Sequence, residues 1–155
     1  MDFYLTVKTL HILSSTVLFG TGIGIAFFMF CSYFAQNIGE KLFISRLTVI
    51  SDYLFTAPAV VVQPVTGFVL LSQGGYAWNE FWLAATFVLF AVSAICWLAV
   101  LVIQIKMKNL LAAIVQNEAE LPDRYHTLFK AWFVLGWPAL FGLVTVFFLM
   151  VFKPT

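Results

Sequence analysis

The chain has 155 residues, of which 63% are hydrophobic and 10% charged, and its mean hydropathy is +1.00. A soluble domain carries charge on about a quarter of its residues, so the solvent for this chain is a lipid bilayer. A net charge of +1, from eight basic and seven acidic side chains, also leaves no basic surface for phosphate and excludes nucleic acid as a partner.

Crossing about 30 Å of hydrocarbon takes about 20 helical residues. Four apolar stretches are long enough, at residues 5–34, 47–71, 81–105 and 128–152. They are continuously apolar rather than alternating, which predicts helices and excludes barrel strands. The expected fold class is all-α: one integral membrane domain over 1–155, built as a four-helix transmembrane bundle. The first stretch is expected to be a mature helix and not a secretory signal, because Asp2 replaces a basic start and no A-x-A pattern closes it. It carries His11, with Ser15 and Gly22 on roughly the same face. Gly20 and Gly24 have the small-xxx-small spacing that lets helix backbones approach, within a bundle or between subunits.

The second stretch holds Thr56-Ala57-Pro58 and Gln63-Pro64-Val65-Thr66-Gly67. Two internal prolines predict a kink, and the carbonyls they free must face protein or a cavity rather than lipid. Asp52 is expected to snorkel or to pair with Arg46, with a proton relay as the alternative. After the third stretch, Met107, Leu110, Leu111, Ile114 and Val115 recur at helical spacing, so this helix should continue beyond the membrane. Pro122 suits the first turn of the next helix. A cytoplasmic helical hairpin is therefore expected to protrude, and Gly136-Trp137-Pro138 marks a kink in the fourth helix.

Lys41, Arg46, Lys106, Lys108, Arg124 and Lys130 flank the first and third connections, against Lys8 and Lys153 near the termini. By the positive-inside rule both termini are expected to be periplasmic. Tyr4, Tyr76, Trp78 and Trp82 on one side, and Tyr125 and Trp132 on the other, are expected as interfacial aromatic belts, with His126 a polar residue of the second interface.

An ionisable group inside a membrane helix is expensive and asks for a function. Neutral imidazole binds metals and haem iron, which makes His11 the candidate cofactor ligand, against the simpler reading of a histidine bonded to a neighbouring helix. His126 opens the fourth helix on the opposite face, at least about 20 Å away in depth. One chain therefore cannot give bis-histidine ligation, and a second axial position would be open, filled by a residue such as Met, or supplied across an oligomer interface. Cys31 and Cys96 lack metal-binding spacing, and Met29, Met107 and Met150 read as packing residues. No nucleophile elbow, HExxH helix or nucleotide loop is present, so no catalytic residues are assigned and chemistry would come from a cofactor.

Lys8-Thr9-Leu10-His11-Ile12 resembles the K-x-L-H-I opening of the HemJ-type protoporphyrinogen oxidases and, more distantly, CopD-type copper-resistance membrane proteins. The chain most resembles a bacterial four-helix membrane family of unknown function. That likeness runs through Gly20-Thr21-Gly22, Gln63-Pro64-Val65-Thr66-Gly67, the Leu121-Pro122 to Tyr125 segment, Phe148-Leu149-Met150 and Lys153-Pro154. The HemJ resemblance implies haem b, with His11 as its axial ligand. Two basic positions of those oxidases fall here among Ala26-Phe27-Phe28 and Glu80-Phe81-Trp82-Leu83. The chain thus lacks both at those places, which separates haem binding from oxidase activity. The resulting expectation is a bacterial inner-membrane haem-binding or redox-associated protein in which helices one, two and three bound the pocket. Its partners would be the bilayer and a homo-oligomer or membrane redox partner. A non-enzymatic auxiliary or assembly protein is the alternative. A small oligomeric transporter for copper or another solute is a third reading, with copper itself disfavoured by the scarcity of Met and His.

Overall fold

A computed structural model describes residues 2–75 and 80–154. Helix α1 (Phe3–Phe34) starts where the Asp2 carboxylate accepts the Tyr4 N–H at 3.1 Å and stops where the backbone turns extended at Ala35. Helix α2 (Ile38–Ser51) follows after a three-residue connector, its first turn capped by Asn37 Oδ1, which accepts from the Gly39 N–H at 2.7 Å. A π-helical turn (Asp52–Thr56) leads without a break into α3 (Ala57–Gly74). Helices α4 (Phe81–Asn117) and α5 (Asp123–Phe152) complete the fold. Four helical units, counting α2 through α3 as one, are long and apolar enough to cross a membrane. Large side chains such as Leu13, Phe27, Val88, Ile95 and Val134 point outward, as hydrocarbon surroundings allow.

The second crossing helix therefore begins nine residues before the predicted 47, and Lys41 and Arg46 lie within it rather than in a connector. Lys41 is buried. Its ammonium donates to the carbonyls of Ser32 (2.9 Å), which also accepts the Ala35 N–H, and Tyr33 (2.5 Å) in the last turn of α1, and sits 5.6 Å from the Tyr33 ring and 5.8 Å from that of Tyr125. A cation at a helix C-terminus meets both the unpaired carbonyls and the negative end of the dipole.

The π turn has a local cause. Pro58 has no N–H to give to the Leu54 carbonyl, and its ring crowds that carbonyl. The helix widens just upstream, where the Ala57 N–H reaches back five residues to Asp52 O. Pro64 and Pro138 remain inside α3 and α5, and each removes one further helical bond.

Helix α4 spans 37 residues, about 55 Å at 1.5 Å per residue, and so outruns the hydrocarbon. Its far half, with α2 and the start of α5, forms the extending hairpin, whose core is Met29, Leu42, Met107, Leu111, Tyr125 and Phe129. Pro122 is the cap of α5 and not its first helical residue. Tyr125 (0% exposed) and Trp132 (5%) belong to this packed interior, and Trp82 (2%) is buried at the other end beside Glu80, to which its indole N–H donates. All three were expected in interfacial belts. Hydropathy alone does not distinguish a belt ring from one clasped between helices that continue past the lipid. Tyr76 and Trp78 lie outside the described residues.

Gly20 and Gly24 do not serve close packing within the chain, since a Cβ at either would meet nothing within 4 Å. The close approach is at Gly142, where a Cβ would stand 2.3 Å from Ser93 Oγ and 3.6 Å from the Leu89 carbonyl oxygen of α4. Gly142→Ala should destabilise the bundle by about 1–3 kcal/mol, the usual cost of overpacking. Adding Ser93→Ala should recover most of that loss, as read from thermal melts in detergent. Lys41→Met, which removes the side-chain donor of the Tyr33 carbonyl and one of the two donors of the Ser32 carbonyl, should lower stability by a similar amount.

Candidate functional site

At the end of the bundle that holds the termini, α1 and α3 are joined by polar side chains. His11 Nδ1 lies 2.7 Å from Thr66 Oγ1. The Thr66 hydroxyl is itself placed to donate back to the Val62 carbonyl at 2.7 Å, with that of Gln63 at 3.2 Å. A hydroxyl has one proton. If Thr66 gives it to the backbone, its oxygen accepts from His11, which puts the imidazole proton on Nδ1 and leaves Nε2 with a lone pair. That is the tautomer of a metal-binding histidine, whose second nitrogen is fixed by an oxygen acceptor. Among the described residues Nε2 has no hydrogen-bond partner.

Gln63 secures the same joint from the other side, donating to the His11 carbonyl (2.7 Å) and to Ser14 Oγ (2.5 Å). Interhelical hydrogen bonds in membranes average about 0.6 kcal/mol, so these three contacts contribute about 2 kcal/mol together. That fixes the register of α1 on α3 without holding up the bundle. Gly67 lies beside the ring: a Cβ there would stand 3.5 Å from His11 Cε1, in ordinary van der Waals contact.

The imidazole lines a cavity of about 250 Å³ that also touches Lys8, Trp82, Met150 and Lys153. All four crossing helices contribute, so the expected boundary of helices one, two and three is incomplete; α5 adds Val146 and Met150. The Lys153 ammonium sits 5.6 Å from the centre of the Trp82 ring.

Sequence reasoning picked out His11, Gln63, Thr66 and Gly67 but not their partner Ser14. It placed Ser15 on the His11 face, whereas the Ser15 hydroxyl turns back to the Ile12 carbonyl at 2.7 Å. An i, i+3 spacing from His11 would have found Ser14, since positions three and four apart share a face. Met150 and Lys153 carried no local signal because they arrive from the far end of the chain. His126 is not merely a wet interfacial residue: its Nδ1 lies 3.0 Å from the Tyr33 hydroxyl. Tyr33 is roughly 33 Å from His11 along α1 at 1.5 Å per residue, so the two histidines do not converge.

Asp52 neither snorkels nor pairs with Arg46. It is 2% exposed and accepts from Trp97 Nε1 at 2.9 Å through Oδ1. Its Oδ2 accepts from the Gln104 amide at 2.8 Å, in the orientation that also lets the Gln104 oxygen accept from Trp132 Nε1 at 3.2 Å. A carboxylate so placed has traded the aqueous interface for neutral N–H donors inside the bundle. No group of three or more His, Cys, Asp or Glu able to hold a metal ion occurs among the described residues.

No curated protein and no solved structure matches the chain. One protein-family model does, described as a predicted integral membrane protein and matched over residues 5–154. With nearly its whole length covered, the chain belongs to this integral membrane family, DUF2269.

Proposed function

We propose that this membrane protein is a haem-binding, redox-associated protein of the bacterial inner membrane, with both termini periplasmic and His11 Nε2 as an axial ligand of haem b. The observation that carries the reading is the His11–Thr66 pair, whose geometry suits an Nδ1–H donating to the threonine oxygen and leaves Nε2 without a partner among the described residues, on a ring facing a cavity. The rest of the donor set is compatible. Met150 offers a thioether in the same cavity, and Lys8 and Lys153 offer ammonium groups suited to propionates. The volume lies below the roughly 300–1,000 Å³ of pockets that bury most of a drug-sized ligand; the donor set, not enclosure, supports the reading. Bound haem would supply one-electron chemistry, while the chain orients the ligand ring, sets its tautomer and keeps water away.

A non-enzymatic auxiliary or assembly role is favoured by one observation of its own. Gln63, Ser14 and the His11 carbonyl satisfy one another, as a purely structural joint would require.

The absorbance spectrum of detergent-purified protein reconstituted with haem separates the two readings. The haem reading expects a Soret band that His11→Ala abolishes while the variant keeps its helical circular dichroism. No band in the wild-type protein, or a band unchanged in His11→Ala, rejects it. Thr66→Val removes the acceptor of the Nδ1 proton but leaves the ligand nitrogen in place. Haem affinity should then fall about 10–100-fold, the usual effect of losing such an outer partner, without loss of the band at saturating haem.

A further inference from the structure

A second cavity, of about 450 Å³, lies between α1, the π turn, α4 and α5. Its volume falls within the range of ligand pockets, roughly 300–1,000 Å³. It is separate from the His11 cavity, though Phe90 contributes to both walls. The walls are almost wholly apolar and rich in aromatic rings, among them Phe19, Phe30, Trp97, Trp132 and Trp137. Among the described residues Asp52 is the one ionisable side chain in the lining, which includes no Lys, Arg or His.

The surroundings of that carboxyl are those of an anion. Oδ1 and Oδ2 each accept from a neutral N–H donor, Trp97 and Gln104, and Gln104 is held in turn by Trp132. Ionised, the carboxylate uses both bonds as an acceptor. Among the described residues its hydrogen-bond partners are all neutral, so in the ionised form its charge has no counter-ion in the apolar bundle. A buried charge lacking a partner is costly. Each carboxylate oxygen retains a free lone-pair direction, and the faces of the surrounding indole and phenyl rings attract cations. Two further buried polar atoms in the lining, Thr56 Oγ1 and Ser93 Oγ, have no hydrogen-bond partner among the described residues.

We propose that this cavity binds a lipophilic organic cation, with its charge against the Asp52 carboxylate and its apolar body among the aromatic walls. An anionic head group would meet Asp52 head-on, and a neutral acyl chain would leave the carboxylate uncompensated. The site is independent of the haem reading, since none of its polar groups touches His11.

The test uses the full-length protein in detergent and three probes of related shape: tetraphenylphosphonium, its anionic counterpart tetraphenylborate, and neutral triphenylphosphine oxide. Binding is followed by calorimetry and by quenching of tryptophan fluorescence. Saturable binding of tetraphenylphosphonium is expected at one site per chain, at least 30-fold tighter than either other probe. Asp52→Asn should weaken it at least 30-fold and Asp52→Glu much less, while Trp137→Leu, which alters a wall and not the charge, should weaken it only several-fold. The comparison of probes on the wild-type protein stands even if Asp52→Asn fails to fold. Failure of the cation to bind, comparable binding of the neutral or anionic probe, or unchanged affinity in a folded Asp52→Asn variant would each overturn the proposal.

Discussion

In hydrocarbon no water is at hand to satisfy a polar group, so a strongly polar side chain inside the bundle is held by its own or a neighbouring helix. That constraint organises this chain. The hydroxyl of Thr66 serves its own backbone and the imidazole of α1; the amide of Gln63 serves the backbone and a serine of the same helix. Trp97, Gln104 and Trp132 converge on Asp52 from α4 and α5. Even the end of α1 obeys it, with an ammonium instead of solvent closing its carbonyls.

Both candidate sites come from irregularities of one helix. Pro58 widens the second crossing helix into the π turn that carries Asp52. Pro64 immediately follows Gln63 and precedes Thr66, so the residues clasping His11 flank a missing backbone bond. Proline breaks are tolerated at depth where neighbouring groups compensate, and here the compensating groups are the functional candidates. The two cavities sit at different levels of the bundle, sharing only the ring of Phe90 among their lining residues.

The fold was legible because hydropathy and length alone decide whether a helix crosses lipid, and all four crossings were read from that. The beginning of α2 was not. Lys41, Arg46 and Glu40 lower the local hydropathy and read as a connector, yet Asn37 caps a helix there and Lys41 is consumed by the end of α1. The site was half legible. His11 announced itself by its cost in a membrane, and the Gln63–Gly67 run by its proline. What no local pattern could give was the pairing between them, fifty-five positions apart for His11 and Thr66, or the arrival of Met150 from the last helix. Asp52 was misjudged for a related reason: Arg46 is near in sequence, but the donors that hold the carboxyl are on α4.

The claim at the centre is that Thr66 holds His11 as the Nδ1–H tautomer and so exposes Nε2 as a ligand. Nitrogen NMR of protein labelled with ¹⁵N-histidine reads this directly, and with two histidines in the chain a His126→Gln sample assigns the signals. The account predicts a neutral His11 ring with a protonated Nδ1 and an Nε2 in the unprotonated range. A proton on Nε2, whether in the opposite tautomer or in an imidazolium, would contradict it.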